Sequence, residues 1–134
     1  MPYELSWLVE KRVILARFHG VITAEELKRF LPEQHALVAE GTPPIHHIND
    51  TTDTGPFEVK LDKLQALLKM LKRPEGVGWY VEANPHPIGR MTSSIALQIA
   101  GRRHRVVSTL EEAVAFLQQN DETLPPITIP DQSV

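Results

Sequence analysis

The sequence contains no cysteine among its 134 residues. Disulfide frameworks, thiolate zinc sites and cysteine nucleophiles are therefore excluded, and the absence agrees with a reducing compartment. No apolar run approaches the roughly 20 residues that a membrane-spanning helix needs. The N-terminal stretch Met1–Glu4 lacks a basic region followed by an apolar core, so it does not resemble a signal peptide. These absences predict a cytoplasmic protein.

Basic charge is also scarce, because 14 Lys and Arg residues against 17 Asp and Glu residues give a net charge of -3. This balance argues against a nucleic-acid-binding protein, which normally presents a basic surface. The hydrophobic content of 42% and the charged content of 23% are typical of a globular domain. We expect one domain over residues 1–120, followed by a proline-rich tail, 121–134, that need not fold with the core.

Short runs rich in β-branched and aromatic residues alternate with amphipathic stretches along the chain. The first two runs, Tyr3–Val9 and Val13–His19, are separated by the charged turn Glu10–Arg12, which permits only an antiparallel hairpin. Each later run follows a predicted helix, and strands that alternate with helices pair in parallel. The predicted fold class is therefore α/β, with the order β-β-α-β-α-β-α-β-α and a mainly parallel five-stranded sheet that carries an antiparallel edge hairpin.

The helices have recognisable beginnings. Thr23–Glu26 forms a capping box, and Ser108–Glu112 holds two overlapping ones. Pro32 lies within the first helix, where it removes a backbone donor and should kink or split the helix. The third helix, from about 90 to 100, is expected to bury three apolar side chains: Met91, Ile95 and Ile99.

The stretch from Pro43 to Leu71 joins a short strand, Pro44–Asp50, through a polar loop to an amphipathic helix. Ligands of open α/β sheets lie outside the carboxyl ends of the strands. A phosphate on a threonine of this loop would be favoured by the helix dipole, whereas the alternative is that the hydroxyls only cap the helix and bond within the loop. The sequence predicts a partner-binding or switch site here: Asp50, Thr51, Thr52, Asp53, Thr54 and Gly55.

A second candidate site follows the fourth predicted strand. Two prolines stiffen a loop there, and a cation, hydroxyl groups and free amides then come together at a helix N-terminus, which favours anions. The alternative is an exposed loop with an ordinary helix cap, because no glycine-rich phosphate motif is present. The residues predicted to bind an anion or a small ligand are His86, Gly89, Arg90, Thr92 and Ser93.

His46 and His47 are adjacent on one predicted strand. Since strand side chains alternate, the two rings point to opposite faces and cannot jointly hold a metal ion. Either could combine with Asp50, His86 or His104, but no ligand spacing typical of a metal site is present. Hydrogen-bonded core or interface histidines are the main expectation, and an enzyme using His46, His47 or His86 ranks lowest. No metal site and no cofactor are predicted.

The chain resembles the STAS and anti-sigma-factor-antagonist proteins, including small stand-alone STAS-like proteins of bacteria. The resemblance rests on the segment Gly20–Glu26 after the hairpin, on the third strand with its polar loop, and on the segment Arg105–Leu117. It implies a non-enzymatic regulatory module. In the antagonist family the third loop carries an Asp-Ser-Ser/Thr-Gly motif whose hydroxyl is phosphorylated by an anti-sigma kinase, and the nearest match here is Asp53-Thr54-Gly55, followed by Pro56-Phe57.

The leading functional hypothesis is therefore a module that binds a protein partner through the loop from Asp50 to Phe57. Because other relatives are regarded as carriers of hydrophobic ligands, the alternative is a carrier or sensor of a small apolar or anionic ligand, with its polar group at Arg90. The family superhelix also implies that every helix covers the same face of the sheet. The other face would be bare unless the tail or a second copy covered it, so we expect a homodimer.

Overall fold

The computed structural model of the chain describes residues 3–54, 60–70, 75–99, 101 and 103–130. Within these ranges the chain forms five strands and four helices in the predicted order. Their bounds are β1 (Tyr3–Val9), β2 (Val13–Gly20), α1 (Ala24–Ala39), β3 (Ile45–Thr54), α2 (Leu61–Met70), β4 (Val77–Ala83), α3 (Pro87–Ile99), β5 (His104–Val107) and α4 (Leu110–Asn120). The strands lie in the order β1-β2-β3-β4-β5, with β1 antiparallel to β2 and the other neighbours parallel. The predicted fold class is confirmed.

Two helices begin where the capping boxes predict. The Thr23 hydroxyl accepts the backbone N–H of Glu26 at 3.2 Å, and the Thr109 hydroxyl accepts that of Glu112 at 3.1 Å. α1 continues without a break through Pro32, so of the predicted kink or split, the split does not occur. Pro32 is exposed, and water can therefore bond to the carbonyl that the proline leaves without a donor one turn earlier.

One face of the sheet, which we call the α1 face, is covered by α1 and α2. Its core is a group of aromatic rings in which Phe30 of α1 packs edge-on against Tyr3 at 5.2 Å and against Phe18 at 4.7 Å between ring centroids. Leu67 of α2 completes the same cluster. Such aromatic pairs stabilise a core by about 0.5–1.5 kcal/mol each beyond the burial of their area.

The opposite face, which we call the α4 face, is covered by the last helix. Successive right-handed crossovers in one direction place the connecting helices on one side, but α4 follows the last strand and is not a crossover. It is therefore free to pack on the other side, and the expectation that every helix covers one face is wrong. The buried apolar side chains of this face are Val13, Leu15, Ile48, Val81, Ala83, Val107, Leu110, Ala113, Val114 and Leu117.

The segment after α4 folds against the core rather than apart from it. Leu124, Ile127 and Ile129 are half-buried and pack on the apolar cluster of the α4 face. The Gln118 side chain of α4 also donates to the carbonyl of Pro125 at 3.5 Å. Because α4 and residues 121–130 cover this face, the bare surface from which a homodimer was expected is not there. Dimerisation remains a prediction, but a bare face of the sheet no longer supports it.

Asp121 attaches the start of this segment to the sheet. Its Oδ2 atom lies 2.9 Å from Nη2 of Arg12 and 2.8 Å from Nε2 of His46. The same Arg12 nitrogen donates to the Thr123 hydroxyl at 2.9 Å. One carboxylate therefore joins the chain after α4 to the beginning of β2 and to β3.

We predict that Asp121→Ala lowers the free energy of unfolding by about 2 kcal/mol or more, because hydrogen bonds to charged groups contribute roughly 1.5–3 kcal/mol and the buried His46 ring loses its acceptor. Urea denaturation measures the change. The neighbouring Glu122→Ala is the control, since Glu122 is exposed. Equal midpoints for the two variants would contradict the role given to Asp121.

Candidate functional site

β3 is longer than predicted, because it runs to Thr54 and takes in most of the expected loop. His19 pairs with Asp53 and Gly20 with Thr54, so β2 and β3 remain together to the end. Threonine is favoured in strands by its β-branched side chain, which explains why this polar run extends the strand instead of ending it. Gly55 and Phe57 lie outside the described residues.

The hydroxyl groups of the predicted switch segment have different environments. Thr51 is buried and donates to the Ala83 carbonyl at 3.0 Å, and Thr54 is buried and donates to the Thr51 carbonyl at 2.8 Å. Thr52 is half-buried, and both its N–H and its hydroxyl donate to Oδ1 of Asp50, at 3.0 and 2.7 Å. Of these three hydroxyls, that of Thr52 belongs to the least buried residue.

Two residues of β2, neither of them expected at a site, lie beside this segment. Nε of Arg17 is 3.8 Å from Oδ2 of Asp50, and Nε and Nη2 are buried without a hydrogen-bond partner among the described residues. Nδ1 of His19 lies 2.9 Å from Oδ2 of Asp53. The sequence does hold a signal for both, because they precede the carboxyl end of a parallel strand, where sites occur in such sheets.

The residues of the predicted anion site make other contacts. Arg90 donates to the Ser108 hydroxyl at 3.0 Å and to the Val106 carbonyl at 3.5 Å, so it covers part of the outer edge of β5. The hydroxyl of Thr92 donates to the Ile88 carbonyl within α3 at 3.0 Å.

The start of α3 is tightly packed around Asn84. The backbone N–H of His86 donates to Oδ1 of Asn84 at 2.9 Å, and a Cβ on Gly89 would lie 2.6 Å from the Asn84 amide nitrogen. Gly89 therefore permits close packing. The Ser93 side chain lies outside what the structure describes. The anion site stays a prediction, but Arg90 and Thr92 are already engaged elsewhere.

The two adjacent histidines point to opposite faces, as predicted. His46 lies on the α4 face, where its Nδ1 accepts the backbone N–H of Trp79 at 3.0 Å while Nε2 contacts Asp121. A Cβ on Gly78 would come within 2.4 Å of His46 Nδ1, so this ring requires a glycine beside it. His47 lies on the α1 face and stacks on Tyr80, with ring centroids 4.4 Å apart.

The contacts of His46 also settle its protonation. Nδ1 accepts a hydrogen bond, so the ring is neutral with its proton on Nε2, from which it donates to Asp121. Burial lowers the pKa of His46 and outweighs the opposing effect of the Asp121 carboxylate. Burial by itself would raise the pKa of Asp121, but hydrogen bonds from His46 and Thr123 outweigh it and lower that pKa to about 2. Both groups therefore favour their present charge states over a wide range of pH.

Polar side chains interrupt the core of the α1 face over β3 and β4. His47 pairs with Tyr80 in the sheet and Asn49 with Glu82, and Gln34 of α1 donates to Oδ1 of Asn49 at 3.1 Å. The side chains of Gln34, His47, Tyr80 and Glu82 are buried. Parallel strands covered on both faces are normally apolar, so this polar row is unusual for its position. Within the described ranges, no group of three His, Asp or Glu side chains could hold a metal ion.

The outer face of α3 carries three exposed apolar side chains, of which Met91 and Ile95 were expected to be buried. Ile88 is 76% exposed, Met91 59% and Ile95 37%. They follow the i, i+3, i+7 spacing of one helix face, and we call them the α3 row. The predicted burial of Met91 and Ile95 is wrong, because α3 turns Leu97 inward instead.

Comparison with known proteins bears on the fold. No protein-family model matches the chain, and no curated protein matches it. A solved structure of the anti-sigma factor antagonist SpoIIAA in its unphosphorylated form matches with a TM-score of 0.59 and 13% identity, over 87% of this chain and 96% of that one. An uncharacterised protein of the DUF3478 family with a SpoIIAA-like fold, from Shewanella loihica, matches with a TM-score of 0.59 and 16% identity, over 86% and 91%. The chain has a SpoIIAA-like fold.

At this level of identity, the similarity to SpoIIAA concerns the fold alone. The STAS-like architecture expected from the order of elements is therefore confirmed, while the roles of individual residues depend on the geometry of this chain. No helix in the part of the chain that is described combines the length and apolarity needed to cross a bilayer.

The environments of the threonines lead to a prediction about which of them can carry charge. Thr54→Glu replaces a buried hydroxyl by a carboxylate and should lower the free energy of unfolding by about 2 kcal/mol or more. Thr52→Glu changes a half-buried side chain that bonds to Asp50, the carboxylate that Arg17 faces, and should cost less than about 1 kcal/mol. Urea denaturation compares the two variants, and a larger loss for Thr52→Glu would refute the assignment.

The pair of Asp121 and His46 leads to a prediction about pH. Both groups have lower pKa values in the folded chain than their ordinary values of 3.8 and 6.5, so the unfolded chain binds protons more readily. The free energy of unfolding should therefore fall as the pH drops below 6.5, first through His46 and then, below about pH 4, also through Asp121. One proton accounts for a slope of at most about 1.4 kcal/mol per pH unit.

Denaturation of the wild type and of His46→Gln at a series of pH values measures the contribution of His46. The variant is expected to lose part of the decline between about pH 6.5 and 4.5, because glutamine does not titrate. Parallel profiles for the two proteins over this range would show that His46 does not contribute.

Proposed function

We propose that this chain is a regulatory interaction module that binds a protein partner through the α3 row. The exposure of Ile88, Met91 and Ile95 is the observation that carries the proposal. Arg90 is the only charged residue among the 13 of α3, and its guanidinium is bonded to Ser108 and Val106. The exposed face of the helix thus carries three apolar side chains and, apart from Arg90, no charge, which suits the packing of another protein.

The position of the α3 row supports the same proposal. α3 begins shortly after Ala83, whose carbonyl accepts the Thr51 hydroxyl from the neighbouring strand. The described part of the predicted recognition surface, Asp50–Thr54, and the start of α3 therefore lie at the same carboxyl end of the sheet. A partner seated on the α3 row would lie near that segment.

SpoIIAA, the fold relative, acts as an anti-sigma factor antagonist and has been solved in an unphosphorylated form. If a phosphate also controls this chain, Thr52 is the position we propose for it, because Thr51 and Thr54 are buried. The unpartnered donors of Arg17 lie next to the Asp50 carboxylate to which Thr52 bonds. Charge-assisted hydrogen bonds from Arg17 would favour a phosphate there, and the charge of Asp50 would oppose it.

The polar row of the α1 face supports a second candidate function, the sensing of a small molecule. The side chains of His47, Tyr80 and Glu82 carry polar groups in a buried position. They suit a ligand that forms hydrogen bonds better than the apolar ligand expected from the sequence. Native mass spectrometry of the gently purified protein tests this function. A bound small molecule that Glu82→Gln releases would favour the sensor over the interaction module.

The interaction module is tested with the double variant Ile88→Asp/Met91→Asp. The few residues that dominate an interface, at its buried centre, each contribute about 2 kcal/mol or more to the binding free energy. Capture of the partner by the double variant should therefore fall by about 30-fold or more. The control is Ala115→Asp, which places a charge on an exposed position of α4 on the other side of the sheet.

The immobilised wild type and both variants are exposed to a lysate of the producing cells, and the retained proteins are quantified by mass spectrometry. A protein retained by the wild type and by Ala115→Asp, but not by the double variant, is then purified and its affinity measured directly. If all three baits retain the same proteins in equal amounts, the α3 row is not the binding surface.

A further inference from the structure

Two arginines of the last strand region are stacked on aromatic rings. The guanidinium carbon of Arg103 lies 4.5 Å from the centroid of the Trp79 ring, and that of Arg105 lies 5.6 Å from the centroid of the Phe116 ring. Trp79 and Phe116 pack edge-on at 4.9 Å and belong to the rim of the α4-face cluster. We call these four side chains the arginine–aromatic patch.

These cation–π contacts leave the N–H donors of the guanidinium groups available. The contact joins the positive charge of the guanidinium to the face of the ring and uses none of its N–H groups in a hydrogen bond to another residue. Arg103 and Arg105 are both exposed, and the guanidinium group of neither forms a hydrogen bond or an ion pair within the part of the chain that the structure describes, although the backbone carbonyl of Arg103 accepts the N–H of Tyr80. Each therefore offers a full set of donors to a partner.

The stack also makes these cations unusually suitable for binding. An exposed arginine normally loses side-chain freedom when it forms an ion pair, and this loss cancels much of the gain. Arg103 and Arg105 are already held by the rings, so less freedom remains to be lost. Arginine and tryptophan are also the residue types that dominate the energy of protein interfaces.

The backbone spacing of the two arginines defines the ligand. Arg103 and Arg105 are two residues apart at the edge of the sheet, since β5 is the last strand, and the Cα atoms of residues two apart on an extended chain are roughly 6.5–7 Å apart, with their side chains on one face. An extended peptide with acidic residues at i and i+2 has the same backbone spacing, so its two carboxylate side chains can face the two arginines. Each carboxylate can accept two parallel hydrogen bonds from one guanidinium.

We propose that the arginine–aromatic patch binds an extended acidic segment of a partner protein, with carboxylates at positions i and i+2. A nucleic acid is a poorer match, because such binding gains affinity by contacting many phosphates, whereas this patch has two cations on a chain of net charge -3. The patch does not include the α3 row, so this inference goes beyond the proposed function and does not depend on it.

The probes are two synthetic peptides of serine and glycine that each contain two glutamates, at i and i+2 in one and at i and i+3 in the other. Binding is followed by NMR through the indole signal of Trp79 at about 50 mM salt, where screening is modest. We expect the i, i+2 peptide to bind at least about five-fold more tightly, with a further weakening as salt rises.

Matched variants assign the binding to individual residues. Arg103→Gln and Arg105→Gln should each weaken the i, i+2 peptide by about five-fold or more, and Arg103→Lys should restore only part of the loss because lysine lacks the planar fork. Lys69→Gln removes the same charge from an exposed position of α2 and should change the affinity by less than about two-fold. The double variant Ile88→Asp/Met91→Asp, which places two charges in the α3 row, should leave peptide binding unchanged.

Three results would overturn the inference. Equal affinities of the two peptides would show that spacing is not recognised. An equal loss in Lys69→Gln and in the arginine variants would show that only net charge matters. Tighter binding of a short single-stranded oligonucleotide, lost in Arg103→Gln, would assign the patch to nucleic acid instead. Thermal denaturation of each variant confirms that a loss of binding does not come from unfolding.

Discussion

The carboxylate of Asp121 accepts hydrogen bonds from Arg12 and from His46, and the closure of the α4 face depends on this contact. Without an anchor after α4, residues 121–130 would have fewer polar contacts holding them to the sheet, and the apolar cluster of that face would be less well covered. The proton of His46 must be on Nε2 to reach Asp121, and the N–H of Trp79 at Nδ1 holds it there. A backbone donor in β4 thus decides how the C-terminal segment is attached.

Closure of the α4 face changes the interpretation of the whole surface. A STAS-like chain with one bare face would need a second copy or a large apolar ligand. In the described part of the chain, both faces of the sheet are covered by the chain's own elements, and a row of exposed apolar side chains remains on α3. Binding of another protein to the α3 row is consequently a simpler proposal than dimerisation through a face of the sheet.

Much of the fold could be predicted from the sequence, because the signals that determine it are local. The hairpin follows from a short charged turn, the starts of α1 and α4 follow from Thr23 and Thr109, and the separation of His46 from His47 follows from the alternation of a strand. The end of β3 was missed because a run of threonines is compatible with both a loop and a strand, and the pairing of Asp53 with His19 decides between them. That pairing is not visible in the sequence of either segment.

The orientation of α3 shows a second limit. Helical periodicity tells which apolar residues share a face, but α3 has apolar residues on more than one face, and tertiary packing selects the face that turns inward. Leu97 is buried while Met91 is mostly exposed. The same limit applies to Arg90, whose sequence context indicates an anion site, while the structure uses it at the edge of β5.

The polar row of the α1 face bears on function. Burying polar groups costs free energy unless they are hydrogen-bonded, and His47, Tyr80 and Glu82 each have a partner within the protein that offsets this cost. An apolar core over β3 and β4 would nevertheless have been the simpler arrangement. A buried set of hydrogen-bonding side chains in this position is the feature that favours a small hydrogen-bonding ligand as a second function beside the α3 row.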